Sequence, residues 1–191
     1  MARADPNPTI YMTVKEKSQK AFETLKGKFG YTNTMAAPRL LKVIVSSGTG
    51  GAMKRNNKHN ELVSDRLAKI TGQKPATKGA KQSIASFKIR QGDPVGVTVT
   101  LRGPRMYAFL EKFFNIALPR TKDFRGFSNK SVDAIGNLTL GIKEHTIFPE
   151  TADEDIKDIF GLSVTLVSTA KTKAEGTAFF ELVGVPFKKE E

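Results

Sequence analysis

The sequence predicts an α+β fold: an open-faced sandwich with helices on one face of a mostly antiparallel sheet and a basic, polar face left open. Three observations predict it. Val95, Val97, Val99 and Leu101 alternate with Gly96, Thr98, Thr100 and Arg102, the period of two that gives a strand one apolar and one polar face. Directly afterwards, Met106, Phe109, Leu110, Phe113 and Ala117 recur at helical spacing and form an apolar stripe able to cover the strand's inner face. Strand-forming runs also stand at Arg39–Ser47, at Asn137–His145 and at Leu162–Thr169, far apart along the chain.

The remaining elements follow in order. Residues 1–12, with Pro6 and Pro8, read as a loose arm, and 13–191 as a single domain with protruding loops near 74–83 and 120–136. Thr13–Phe29 is predicted to be one helix, with Val14, Ser18, Phe22 and Leu25 as a thin apolar stripe and Gly30 at its end. Gly48, Gly50 and Gly51 break the strand that follows. Asn57–Ile70 reads as a helix through Val63, Leu67 and Ile70. Phe87 and Ile89 alternate with Lys88 and Arg90, which predicts a strand joined through a turn at Gln91–Pro94 to the Val95 strand, with both apolar residues inward. Gly103-Pro104 opens the next helix, where proline is tolerated in the first turn. Asp153–Phe160 is predicted to be a short helical turn and Thr172–Leu182 the last helix.

The 191 residues carry a net charge of +12, unevenly spread. Residues 1–71 sum to +8, residues 72–130 to +9 and residues 131–191 to −5. Such a basic portion followed by an acidic one is the footprint of a protein that meets a polyanion, although solvated surface lysines give the same count. Cysteine is absent, which excludes disulfides and thiolate metal sites. No apolar run is long enough to predict a membrane span, and MARADPNPTI has no secretory h-region.

Lys88, Arg90, Thr98, Thr100, Arg102 and Lys143 are predicted to share the open sheet face. There cations would neutralise phosphates and threonine hydroxyls would bond to 2′-hydroxyls or sugar edges. Lys74, Lys78 and Lys81 mark a basic finger, and Arg120, Lys122, Arg125 and Lys130 are interleaved with Phe124 and Phe127 in a manner that suits RNA or a protein partner. Each set also fits a plainer role: a solvated face, an exposed loop, and a loop that its two phenylalanines pin to the core. Gly48-Thr49-Gly50-Gly51 invites a phosphate-loop reading and a nucleotide-using enzyme. No Gly-Lys-Ser/Thr follows, however, and Met53 stands where a dinucleotide fingerprint wants glycine. His59 and His145 have no metal-ligand spacing, Asp153, Glu154 and Asp155 suit a helix start, and no nucleophile–base pair is recognisable. No cofactor, metal or catalytic residue is expected.

The ordered segments TGQKPATKGAKQSIASFKIRQGDPVGVTVTLRGPRM, ALPRTKDFRGFSNKS and GNLTLGIKEHTIFPE resemble the bacterial-type large-subunit ribosomal protein family number five, which binds 5S rRNA. The resemblance spans roughly Pro38–Lys188. It implies a non-enzymatic protein of the central protuberance, whose 5S contacts fall here on Ser46, Gln73, Thr100, Arg102 and Gly103. It implies further partners: large-subunit rRNA, neighbouring large-subunit proteins, peptidyl-site tRNA near the 74–83 loop, and a small-subunit head protein that makes an intersubunit bridge near 124–141. No membrane partner is implied. The location implied is a cytoplasmic ribosome; an organellar one stays open, with no transit peptide evident. The chain departs from the family pattern at Ser46, where asparagine is usual, and at Asp133-Ala134-Ile135-Gly136, where Asp-Gly-Arg-Gly is common.

Overall fold

The computed structural model describes residues 13–53, 59–122, 124–151 and 159–188, without the side chains of 52 and 53. The expected arm at 1–12 and most of the expected turn at 153–160 lie outside these residues. Among the described residues five strands form one antiparallel sheet: β1 (Leu40–Gly48), β2 (Ala76–Gly79), β3 (Pro94–Leu101), β4 (Leu138–Ile142) and β5 (Leu162–Ser168), in the order β2-β3-β1-β5-β4. Alternation sorts their side chains. Val43, Val45, Val97, Val99, Leu101, Leu138, Leu140, Val164 and Leu166 are buried, and the residues between them are not. The architecture is the α+β open sandwich that the periodicity predicts.

Six helices accompany the sheet among the described residues: α1 (Val14–Gln19), α2 (Ala21–Phe29), α3 (Gly50–Met53), α4 (His59–Thr71), α5 (Gly103–Lys112) and α6 (Lys173–Val183). The predicted stripe of α5 is fully realised. Met106, Phe109, Leu110, Phe113 and Ala117 are all buried, the last two in a wide π-helical turn, Phe113–Ala117, that continues the helix. Phe109, Phe113 and Phe148 stack with ring centroids 6.0 to 6.1 Å apart. Each fully buried phenylalanine of this kind contributes on the order of 2–3 kcal/mol.

The single helix expected over Thr13–Phe29 is two, broken at Lys20. Thr13 and Glu16 close a capping box on α1, and Gly30, in the left-handed region at φ 68°, ends α2. Val14, Ser18 and Leu25 of the expected stripe are buried, but Ala21 takes the inward place expected for Phe22, which is only half-buried. Tyr31, just beyond α2, donates its hydroxyl to Glu175 Oε1, while Glu175 Oε2 accepts the Lys171 amide. Burial and that carboxylate hold the phenol protonated well above the ordinary tyrosine range.

A second difference lies at the sheet edge. Residues 87–90 form no strand: Ala85–Phe87 is a 3₁₀ turn, Lys88 is left-handed at φ 51°, and Phe87 is 58% exposed rather than inward. The partner of β3 is instead β2, inside the segment expected to be a loop. The hairpin extends beyond β2 through Ala80 N–H to Asp93 O (2.8 Å), Gly92 N–H to Ala80 O (3.0 Å) and a bridge between Ile84 and Ile89. All four residues of β2 are exposed and none is a large apolar residue, so no hydrophobic period marks it. Gln91–Pro94 does turn, with Asp93 Oδ2 accepting the Arg90 amide at 2.7 Å.

Candidate nucleic-acid interface

Strand register assembles the open face row by row. Ala76, Thr98, Ser46, Ser163 and Gly141 lie across the five strands, and Thr100, Ile44, Thr165 and Thr139 across four of them. Six hydroxyl side chains therefore share this face: Ser46, Thr98, Thr100, Thr139, Ser163 and Thr165. Ser46 Oγ lies 2.9 Å from Ser163 Oγ, and Thr139 Oγ1 lies 3.2 Å from Thr165 Oγ1. A hydroxyl used once in such a pair keeps further donor or acceptor capacity for a ligand. Between the hydroxyls stand Gly96 and Gly141, which let a ligand backbone approach closely. No aromatic side chain stands in these rows.

The predicted 5S residues converge at one corner. β2 pairs with β3 only as far as Thr98, which leaves the outer edge of β3 uncovered beyond it. There the Gln73 side chain donates from Nε2 to the Thr100 carbonyl at 3.1 Å. Gln73 is delivered by the end of α4, where Thr71 Oγ1 bonds to the Leu67 carbonyl at 2.6 Å and Gly72 adopts φ 66°. Arg102 continues the alternation of Thr98 and Thr100 as the N-cap of α5; it is exposed, and its guanidinium has no protein partner among the described residues. Gly103 turns the chain from strand into helix at φ 59°, a conformation that strains any residue with a Cβ. Ser46 sits one strand in, opposite Thr98.

Other predicted residues fall elsewhere. Lys88 and Arg90 are in the hairpin extension rather than on the sheet face, because the chain turns instead of pairing there. Lys74 and Lys81 are exposed on either side of β2, and Lys78 lies in it opposite Gly96. Lys143 extends the open-face alternation of Thr139 and Gly141 just past β4. Arg120, Lys122 and Arg125 border an open cavity of about 680 Å³ beyond the β4 edge, and Lys130 does not. Phe124 and Phe127 meet edge to face at 5.1 Å and pack on the core, so the two rings do pin this loop. The face also includes residues the sequence reading missed: Lys42, Ser163, Thr165 and Thr139. Their signal was the same period of two, in β1, β4 and β5.

The glycine turn after β1 leads into α3, with the Thr49 amide donating to the Val95 carbonyl at 2.9 Å. A Cβ on Gly50 would sit 3.6 Å from Val95, so the turn is laid against β3. The departing Asp133–Gly136 segment keeps its turn without an arginine: Asp133 Oδ1 accepts the amides of Ile135 and Asn137, and Gly136 adopts φ 78°. No helix among the described residues is long and apolar enough to cross a membrane.

The site is thus an open sheet face of hydroxyls and glycines, with a helical layer behind and, at its rim, an arginine that has no protein partner among the described residues. Residues 33–90 match the family model described as Ribosomal protein L5, and residues 94–187 match the model for the C-terminus of the same ribosomal family. The large ribosomal subunit protein uL5 of Desulfatibacillum aliphaticivorans is 51% identical over 165 residues, which cover 86% of this chain and 92% of that one. Those of Thermoanaerobacter sp. and Acaryochloris marina are 50% and 48% identical, covering 92% and 93% of this chain and 98% and 99% of theirs. The chain belongs to the ribosomal protein L5 family, whose members are structural proteins and not enzymes.

Proposed function

We infer that the protein, a structural constituent of the large ribosomal subunit, binds 5S rRNA in the central protuberance through its open sheet face. The observation that carries this is the convergence of Ser46, Gln73, Thr100, Arg102 and Gly103 at the uncovered corner of β3. Hydroxyls without aromatics suit the shallow minor groove of an RNA helix, where 2′-hydroxyls are displayed, better than unstacked bases. Ser46, shorter than the usual asparagine, reaches a ligand beside Ser163, whose hydroxyl lies 2.9 Å away.

Titration of isolated 5S rRNA tests the reading. Affinity is expected to fall steeply with salt, with a log–log slope of about −3 to −5 for about five phosphate contacts, and a DNA duplex of matched sequence is expected to bind far more weakly. Salt-independent affinity, or equal binding of the DNA, defeats it.

The β2–β3 hairpin carries the second contact of this reading, with peptidyl-site tRNA, through Lys74 before β2, Lys78 within it and Lys81 in the extension beyond it; large-subunit rRNA, neighbouring proteins and the small-subunit head complete the partners. The part that can be trimmed is residues 81–88, since β2 is an integral strand. Trimmed protein is expected to bind 5S rRNA and enter large subunits normally, while the resulting ribosomes hold peptidyl-site tRNA less tightly. Loss of 5S binding with the fold intact would assign the extension to the 5S site instead.

A further inference from the structure

The open face itself is poor in charge: its strands contribute only Lys42 and Lys78, on β1 and β2. The cations gather elsewhere. Arg120, Lys122, Arg125, Lys143 and Lys188 all line the 680 Å³ cavity, with Glu144 the one carboxylate among the described lining residues. All five are exposed, and none has an ion-pair partner among the described residues. The arrangement is built rather than accidental. The loop is tied to the C-terminal segment by the Phe127 amide to Pro186 O (2.8 Å) and the Lys188 amide to Phe127 O (2.9 Å), which sets Lys188 beside Arg125 and Gly126. A Cβ on Gly126 would lie 3.0 Å from the Lys188 nitrogen, so glycine permits that approach. Like charges held together this way repel unless an anion sits among them.

The chemistry of the lining selects the anion. None of the strongly exposed large hydrophobic residues borders the cavity; of the apolar residues that do, Leu118, Ile142 and Ile147 are buried, and Phe124 and Phe127 are half-buried, packed on each other and on the core. The two rings are held by the core and by each other, so the side chains left free at this surface are the five cations, which suit phosphates. The cavity also continues the open face. Gly141 ends the row that begins at Ala76, and both Gly141 and Lys143 line the cavity.

We propose that this cavity is a second RNA site, which takes converging phosphates of the same RNA that lies on the sheet, and that it supplies most of the salt-dependent part of binding. The hydroxyl face then supplies recognition that salt hardly affects. The inference rests on the RNA-binding reading above.

The test compares salt slopes for isolated 5S rRNA. The triple variant Lys122→Gln, Arg125→Gln, Lys143→Gln removes exposed, unpartnered cations and is expected to melt as the parent does. Its log–log slope should be shallower by about 2 to 3, at roughly 0.7–0.9 per lost contact. The control, Lys15→Gln, Lys20→Gln, Lys173→Gln, removes the same charge from the helical layer and should change the slope by less than about 1. Equal changes in both variants would mean a diffuse field and overturn the proposal. An unchanged slope in the cavity variant would also overturn it and leave the cavity to a protein partner. Failure of the parent protein to bind 5S rRNA at all would instead remove the functional reading on which the proposal stands.

Discussion

Gly176→Ala is expected to lower the melting temperature by roughly 6–12 °C, the shift that about 3 kcal/mol of overpacking produces in a chain of this size. Propensity alone predicts the opposite sign, because alanine in a helix interior is favoured over glycine by about 1 kcal/mol. Position 176 lies inside α6, but a Cβ there would stand 2.6 Å from Gly136 Cα and 2.9 Å from Gly136 O. The obstacle is backbone and cannot rotate away. Gly136 cannot retreat either: it adopts φ 78°, and a Cβ placed on it would meet Ala170 Cβ at 2.6 Å. The Ser168 hydroxyl also donates to its carbonyl at 2.7 Å. Thermal melting followed by circular dichroism checks the prediction; an unchanged or raised midpoint would mean that the two segments separate freely.

Arg102→Ala is expected to weaken 5S rRNA binding by about 1–3 kcal/mol, the scale of a lost charge-assisted hydrogen bond. Thr100→Val should weaken it by about 1 kcal/mol while keeping the β-branched shape of the strand. Neither should disturb the fold. The Arg102 side chain has no protein partner among the described residues, and Gln73 binds the Thr100 carbonyl, which valine retains. The two variants should differ in salt response: arginine removal makes the slope shallower by about one phosphate contact, and hydroxyl removal leaves it unchanged. Parallel titrations and melts of both proteins decide this. Unchanged affinity in both would remove the corner of β3 from the site.

The legible parts of the sequence were those where burial imposes a long period. Val95–Leu101 and the stripe from Met106 to Ala117 are each read correctly because every second residue, or every third and fourth, must face the same core. β2 was illegible for the converse reason: it is a four-residue edge strand held by backbone bonds, and Ala-Thr-Lys-Gly has nothing to bury. Phe87 misled because alternation over four residues is too short to separate a strand from a turn; the left-handed Lys88 interrupts it. The break at Lys20 left no sequence signal, since Val14, Ser18, Ala21 and Leu25 keep helical spacing across it, and the larger Phe22 drew the expected stripe one residue off. In the site, Thr100 and Arg102 were visible from strand period. Their meeting with Gln73 depends on where α4 ends in space, and the union of Arg120, Lys122 and Arg125 with Lys143 and Lys188 on contacts across the β4 edge.

The position of β1 has a consequence for synthesis of the chain. Although β1 emerges early, both of its neighbours come later: Val43 pairs with Leu101 on one side and with Leu166 on the other. Until translation passes Ser168, the central strand keeps a bare edge of unpaired amides and carbonyls, and contacts this distant in sequence are slow to close. The division between the two matched family segments, at residues 90 and 94, runs through the β2–β3 hairpin, and the first segment's β1 lies between β3 and β5 of the second. The nascent chain must therefore wait for its last quarter before the sheet can close, a delay during which its basic N-terminal portion is already free to meet RNA.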